Sequence, residues 1–169
     1  MEYLVEMTTD VPQGRPDGAA VDDIRARETA RARELAAAGH LLRLWRPPLA
    51  LGEWRTFGLF GADGEQRLEE ILASMPLYVW RTDKVTPLSE HPNDPASAQG
   101  REPVEFLTTL TLTVPEGTAS EVVADMKARE AIRAHELAEE GRLVRLGRRQ
   151  TNPASGARWG CGAPATKSD

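Results

Sequence analysis

The stretch that most restricts what this chain can fold into is residues 25–47, RARETARARELAAAGHLLRLWRP, a helix, a glycine stop and a strand in direct succession. On the helix, Val21, Ile24, Glu28, Ala32 and Leu35 are spaced by three, four, four and three residues, which places them on one face. Four of the five are apolar, so that face is expected to be buried with Glu28 on it. A carboxylate facing a core is costly unless it is paired or its pKa is raised. A pKa raised toward neutrality is also what a general acid–base group needs. The bland alternative is an ion pair with Arg25 or Arg31, each three residues away. The same pattern returns in residues 129–146, REAIRAHELAEEGRLVRL, where Met126, Glu130, Ala134 and Leu137 share a face and Glu130 takes the place of Glu28.

Around this stretch the chain alternates strand and helix. Tyr3, Val5 and Met7 alternate with Leu4, Glu6 and Thr8, predicting a strand over 3–8. VPQGRPDG (11–18) is a loop, with Asp17 as an N-cap for a helix to about Ala38 and Gly39 as its stop. Strands follow at 41–46 and 54–60. Asp63 and Gln66 form a capping-box start for a second helix burying Leu68, Ile71, Leu72 and Met75. A last strand is expected over 77–86. The order β-α-β-β-α-β is the ferredoxin-like split arrangement, an α+β fold with helices on one sheet face only. Trp45, Trp54 and Trp80 fall on predicted strands, so some should point to the open face, as a dimerisation surface or pocket lid.

Four prolines mark 87–103 as a linker region, and the domain boundaries are drawn at 1–94, a linker 95–103, a partial second copy 104–150 and an irregular tail 151–169. The second copy opens with EFLTTLTLTVPEG (105–117), which matches EYLVEMTTDVPQG (2–14). Thr118 and Glu121 form its capping box, Gly141 stops its helix, and 143–146 repeats 41–44. Residues 155–159 start a third strand, after which no helix or strand pattern follows. Half of a ferredoxin-like unit cannot cover its own apolar surface. The half-copy is therefore expected to pack on the first copy or on another chain.

The balance of the chain excludes several classes. Net charge is −5, against general attraction to nucleic acid or membrane phosphates, and glutamates intersperse the arginine-rich helix. The single cysteine, Cys161, allows no internal disulfide and no cysteine-based metal site within one chain, and no pair of histidines has metal spacing. MEYLVEMT has no basic region followed by a long apolar run, so no signal peptide is expected, no stretch could span a bilayer, and cytoplasm is the default compartment.

The opening strand through Val11-Pro12, the Arg27-Glu28 pair, the Leu44-Trp45-Arg46 strand, the Met75-Pro76-Leu77 turn and His91-Pro92 together resemble the muconolactone isomerase family, fully over about 1–94 and in part over 105–149. The resemblance implies a ferredoxin-like fold assembling through its sheets into dimeric α+β barrels, hence a homo-oligomer, with no metal and no cofactor. It implies a proton shift within an unsaturated lactone bearing a carboxylate, in aromatic catabolism, with a first-helix glutamate carrying the proton; Glu28 falls at that position. Where established members carry His, Lys and aromatic residues on the first two strands, this chain has Leu4, Glu6 and Leu42. An inward Glu6 would repel an anionic substrate.

The candidate site is therefore Glu28 as catalytic residue, Arg43 and Arg46 with Trp45 and Trp54 as substrate-binding residues, and Glu130 as the second-copy counterpart. Guanidinium groups grip carboxylates bidentately and could hold a dienolate charge. Positions 43 and 46, three apart on one strand, are expected to face opposite ways. A non-catalytic small-molecule-binding or oligomer-scaffold module of the same fold is the alternative.

Overall fold

The computed structural model describes residues 1–10, 18–95, 106–149 and 158–159. The chain forms two compact units, Met1–Ser89 with the described part of Arg149–Asp169, and Glu90–Arg148. The last strand of the first unit ends at Glu90.

In the first unit, β1 (Glu2–Thr9) is the central strand. Its alternation is read out directly: Tyr3, Val5 and Met7 are buried. α1 (Gly18–Ala37) follows, then β2 (Leu41–Trp45), β3 (Arg55–Gly61), α2 (Glu65–Ala73), a 3-10 turn at Pro76–Trp80 and β4 (Arg81–Glu90). β1 pairs antiparallel with β3 on one side and β4 on the other, and β2 pairs antiparallel with β3. The sheet order β2-β3-β1-β4 is the ferredoxin-like order, as the sequence predicts. Leu35 from α1 and Leu68, Ile71 and Leu72 from α2 close over Val5 and Phe60 to make the core. One sheet face is thereby covered, and the opposite face carries no helix among the described residues of this unit.

α1 ends as predicted. Gly39 has φ 74, a left-handed conformation that glycine adopts without penalty. The His40 N–H reaches the Leu35 carbonyl at 2.8 Å and the Gly39 N–H the Ala36 carbonyl at 3.1 Å, the paired bonds of a Schellman stop. The second helix stop repeats this with Arg142 to Leu137 at 2.8 Å and Gly141 to Ala138 at 2.9 Å.

Local details depart from expectation for identifiable reasons. α2 begins at Glu65 behind Gly64, with no side-chain cap; Asp63 lies one position outside the cap and Gln66 one position too early for a capping box. Residues 77–80 are not strand. Pro76 opens a 3-10 turn in which the Tyr78 N–H bonds the Met75 carbonyl, and the strand starts only at Arg81. Residues 87–90, assigned above to a linker region, complete that strand. Of the three tryptophans only Trp45 lies on a strand. β2 carries a bulge between Leu41 and Arg43 and ends before Arg46. The loop with Asp17, and 96–103 of the linker, lie outside the described residues.

The second unit holds α3 (Ser120–Glu139). Its cap is Ala119; Thr118 instead turns its hydroxyl to the Pro115 carbonyl at 2.7 Å, so Thr118 and Glu121 make no capping box. Neither 106–115 nor 143–146 is a strand, contrary to the repeat. In the first unit β1 is held by β3 and β4, and β2 by β3; the described residues of the second copy supply no equivalents, so its strand sequences find no ladder. A three-residue strand, β5 (Gly147–Arg149), ends the segment. Of the expected third strand, 155–157 lie outside the described residues, and β6 (Arg158–Trp159) pairs antiparallel with β4 at Asp83 and Lys84.

Candidate functional site

α1 carries Glu28 on the face that spacing predicts: Val21, Ile24, Glu28 and Ala32 are half-buried and Leu35 is buried. The Glu28 side chain is 17% exposed. One carboxylate oxygen, Oε2, accepts the backbone N–H of Leu77 at 2.9 Å. The other, Oε1, lies 3.5 Å from Nη1 of Arg81. The partner is thus neither Arg25 nor Arg31. Arg25 pairs with Asp22 at 3.3 Å, and Arg31 pairs with Glu34 at 2.8 Å and donates to the Ser74 hydroxyl. Two of the roughly four lone-pair positions of a carboxylate are engaged at Glu28. The group is held in one orientation, and the rest of its rim is left for a proton.

Arg81 is the hub. It is 3% exposed, and it grips Asp83, itself 1% exposed, bidentately through Nε–Oδ1 at 2.7 Å and Nη2–Oδ2 at 2.9 Å. Its Nη2 also donates to the Leu72 carbonyl at 3.4 Å, and the guanidinium lies 5.7 Å from the centre of the Tyr78 ring. The Tyr78 hydroxyl donates in turn to Glu69. Burial pushes the Asp83 carboxyl above its ordinary value; the Arg81 charge and hydrogen bond oppose that, and the Glu69 charge adds to it.

The remaining predicted residues do not converge on Glu28. Pairing of Tyr3 with Phe60 fixes the even positions of β3 and the odd positions of β1 and β4 on the helical face. Trp54 continues that parity, and Arg25 of α1 stacks over its ring at 4.0 Å, three residues from Glu28. Arg43 pairs with Leu59 and Trp45 with Phe57, which puts both on the open face, across the sheet from Glu28. Arg46 is exposed beyond the strand. Glu6 also lies on the open face, neutralised by Arg55 at 3.7 Å and Lys84 at 4.0 Å, and so does not point at Glu28.

Glu130, in the second unit, is exposed on α3. It borders an open cavity of about 390 Å³ lined by Leu112, Val114, Val123, Met126, Lys127 and Arg129. Arg129 is bound to Asp125, and Glu130 has no hydrogen-bond or ion-pair partner among the described residues. The repeat thus reproduces the helical position but none of the groups that hold Glu28. Among the described residues no cluster of three or more His, Cys, Asp or Glu is gathered for a metal ion. His40 faces the Gly61 carbonyl at 3.2 Å and the His91 ring accepts the Asn93 N–H at 3.1 Å.

Arg81, Asp83 and the Leu77 amide escape the sequence reading. A signal was present for the first two: Arg81, Asp83 and Val85 alternate on one strand face, so an inward Val85 implies an inward ion pair.

Comparison with known proteins bears on the same segments. The family model for muconolactone delta-isomerase matches residues 1–94 and again 104–160. The muconolactone delta-isomerase of Cupriavidus pinatubonensis is 36% identical over 93 residues, 55% of this chain and 97% of that protein. Muconolactone delta-isomerase 1 of Acinetobacter lwoffii is 32% identical, over 55% of this chain and 93% of its own length. A crystal structure of muconolactone isomerase aligns with 54% of this chain and 92% of its own, at 27% identity and a TM-score of 0.48. The relatives are spanned over almost their whole length by about half of this chain, and the family model's second match covers the repeat read from the sequence. With both segments matched, the chain belongs to the muconolactone delta-isomerase family.

Proposed function

We propose that this chain is a cofactor-independent isomerase that moves a proton within a small unsaturated lactone bearing a carboxylate, the muconolactone of its relatives' name being the first substrate to test. Glu28 takes the proton from the carbon beside the conjugated carbonyl and returns it further along the conjugated system. The observation that carries this is the fixed Glu28 carboxylate, positioned by the Leu77 amide and Arg81 on the half-buried face of α1. A general base must sit at hydrogen-bond distance from the proton it takes, and an oriented carboxylate meets that need without reorganising. Trp54, under Arg25 on the same side of the sheet, is the substrate-contact candidate that shares Glu28's face. Arg43 and Trp45, with Arg46 beyond them, offer an oxyanion or carboxylate grip from the open face; they serve a neighbouring protomer's substrate if the open faces assemble.

One observation favours the non-catalytic reading: both oxygens of Glu28 already have partners within the chain, as in a purely structural acid. Glu28→Gln separates the two. The amide oxygen of glutamine still accepts the Leu77 N–H, so the fold is retained. Proton NMR of muconolactone incubated with the protein in deuterated buffer should show product carrying solvent deuterium. The variant should turn over about 100-fold more slowly or worse, the usual contribution of a general base. Undiminished turnover in Glu28→Gln removes Glu28 as the base. Absence of both conversion and exchange in the unsubstituted protein removes this substrate and leaves the binding-module reading in front.

A further inference from the structure

The segment 106–115, FLTTLTLTVP, has the composition of a central strand and no strand partner among the described residues. Phe106 is 88% and Leu110 81% exposed. No described hydrogen bond involves the backbone of 106–114. Unpaired backbone groups along an apolar stretch are a template for another strand.

The first unit shows what such a segment pairs with. Its two halves, β1-α1-β2 and β3-α2-β4, interleave: both neighbours of β1 come from the second half, and both neighbours of β3 come from the first. A half makes no ladder between its own two strands. Among the described residues the second copy supplies one such half, and its unformed strands are what that rule requires. What completes a β-α-β half is another β-α-β half.

We propose that residues 106–146 of two copies of this chain pair about a two-fold axis, each supplying the half that the other lacks, to build one four-stranded unit like the first. The central pairing of the first unit, β1 with β3, is antiparallel, the only sense a two-fold axis across the strands permits. Both bare edges of 106–115 are then used: one by the same segment of the second copy, the other by that copy's 143–146. The repeat sets the register. Tyr3, Val5 and Met7 correspond to Phe106, Thr108 and Leu110. The β1–β3 ladder from Glu2↔Gly61 to Thr8↔Arg55 has its midpoint at Val5↔Gly58. Thr108 therefore lies on the axis, and Phe106 meets Leu110 of the second copy on the helix side.

Charge permits this pairing and area supports it. Unlike β1, with Glu2 and Glu6, residues 106–115 hold no charged side chain, so a strand meeting its own copy brings no like charges together. The exposed apolar side chains Phe106, Leu107, Leu110, Leu112, Val114 and Met126 offer several hundred Å². With the paired backbone added, that approaches the roughly 800 Å² per partner of a standard interface.

Only a residue on the axis faces its own copy. Antiparallel partners lie about 4.5–5.5 Å apart between Cα atoms, inside the range a disulfide spans. The test uses the full chain with Cys161→Ser and, singly, Leu107→Cys, Thr108→Cys or Thr109→Cys, under mild oxidation. The expected result is a covalent dimer in high yield from Thr108→Cys and little from its two neighbours. Equal linking at all three positions reports random collision and overturns the proposal, as does linking at none. A monomer by light scattering at 100 µM, about the level at which a weak interface shows, overturns it without any variant. Leu110→Asp, exposed within one chain, should weaken self-association at least tenfold while unfolding of the first unit, followed by the fluorescence of its tryptophans, stays unchanged. Unaltered association in that variant also counts against the pairing.

Discussion

Replacing Arg81 by methionine tests whether one guanidinium holds the Glu28 site together. The side chain is 3% exposed, and its removal leaves Asp83, 1% exposed, and Glu28 facing each other's side of the core without a cation. Removing one member of a buried pair costs about 3–5 kcal/mol, because the remaining charge is stranded. With a urea dependence of about 1.5–2 kcal/mol per molar for a unit of this size, the midpoint should fall by about 2 M. Tryptophan fluorescence can follow it, since Trp45, Trp54 and Trp80 lie in the first unit. Arg81→Met combined with Asp83→Leu should be more stable than Arg81→Met alone, since removing both charges leaves none stranded. The single-variant deficit should shrink toward acid pH, where Asp83 takes up a proton. A deficit below about 1 kcal/mol, or a double variant that simply adds a second loss to the first, would refute the hub assignment.

Three further outcomes follow from the same geometry. Because burial raises the Asp83 pKa, the folded state holds that proton more tightly than the unfolded chain. Its contribution is fully present below the ordinary value of 3.8 and is lost as pH rises through the folded value; Asp83→Asn should remove this slope from a stability–pH profile measured by urea titration. Gly58→Ala would place a Cβ 2.4 Å from a ring carbon of the fully buried Phe60, and should lower stability by about 1–3 kcal/mol in thermal melts. Leu72→Ala, at a residue with no exposure under the Glu28 site, should cost about 2–5 kcal/mol by chemical denaturation, with little change in turnover per folded molecule.

The order of elements in the first unit was legible because each rests on local signals: the alternation at Tyr3, Val5 and Met7, the helical spacing through Glu28, and Gly39 closing α1 with a positive φ. Glu28 itself was legible as an acid on a buried face. Its partner was not, because Arg81 reaches it only after β4 is laid beside β1 and no local spacing records that. The strands of the second copy were misread for a related reason. Their sequences favour strand as strongly as those of β1, but a strand exists only where another supplies its hydrogen bonds. The caps of α2 and α3 failed by one residue, the distance by which a serine, threonine or aspartate pattern cannot locate a helix start.

The bulge between Leu41 and Arg43 has an evolutionary reading. In a regular β2, Leu42 would oppose Leu59 and Arg43 would fall opposite Gly58, turned toward the helices. The one extra residue deals Arg43 and Trp45 to the open face instead. β2 is an edge strand of this unit, so its length can change while β1, β3 and β4 keep every pairing among themselves. Lineages of this fold can therefore exchange the side chains shown on that face by gaining or losing a single codon, with the strand's other residues kept and the pairing of β1, β3 and β4 undisturbed.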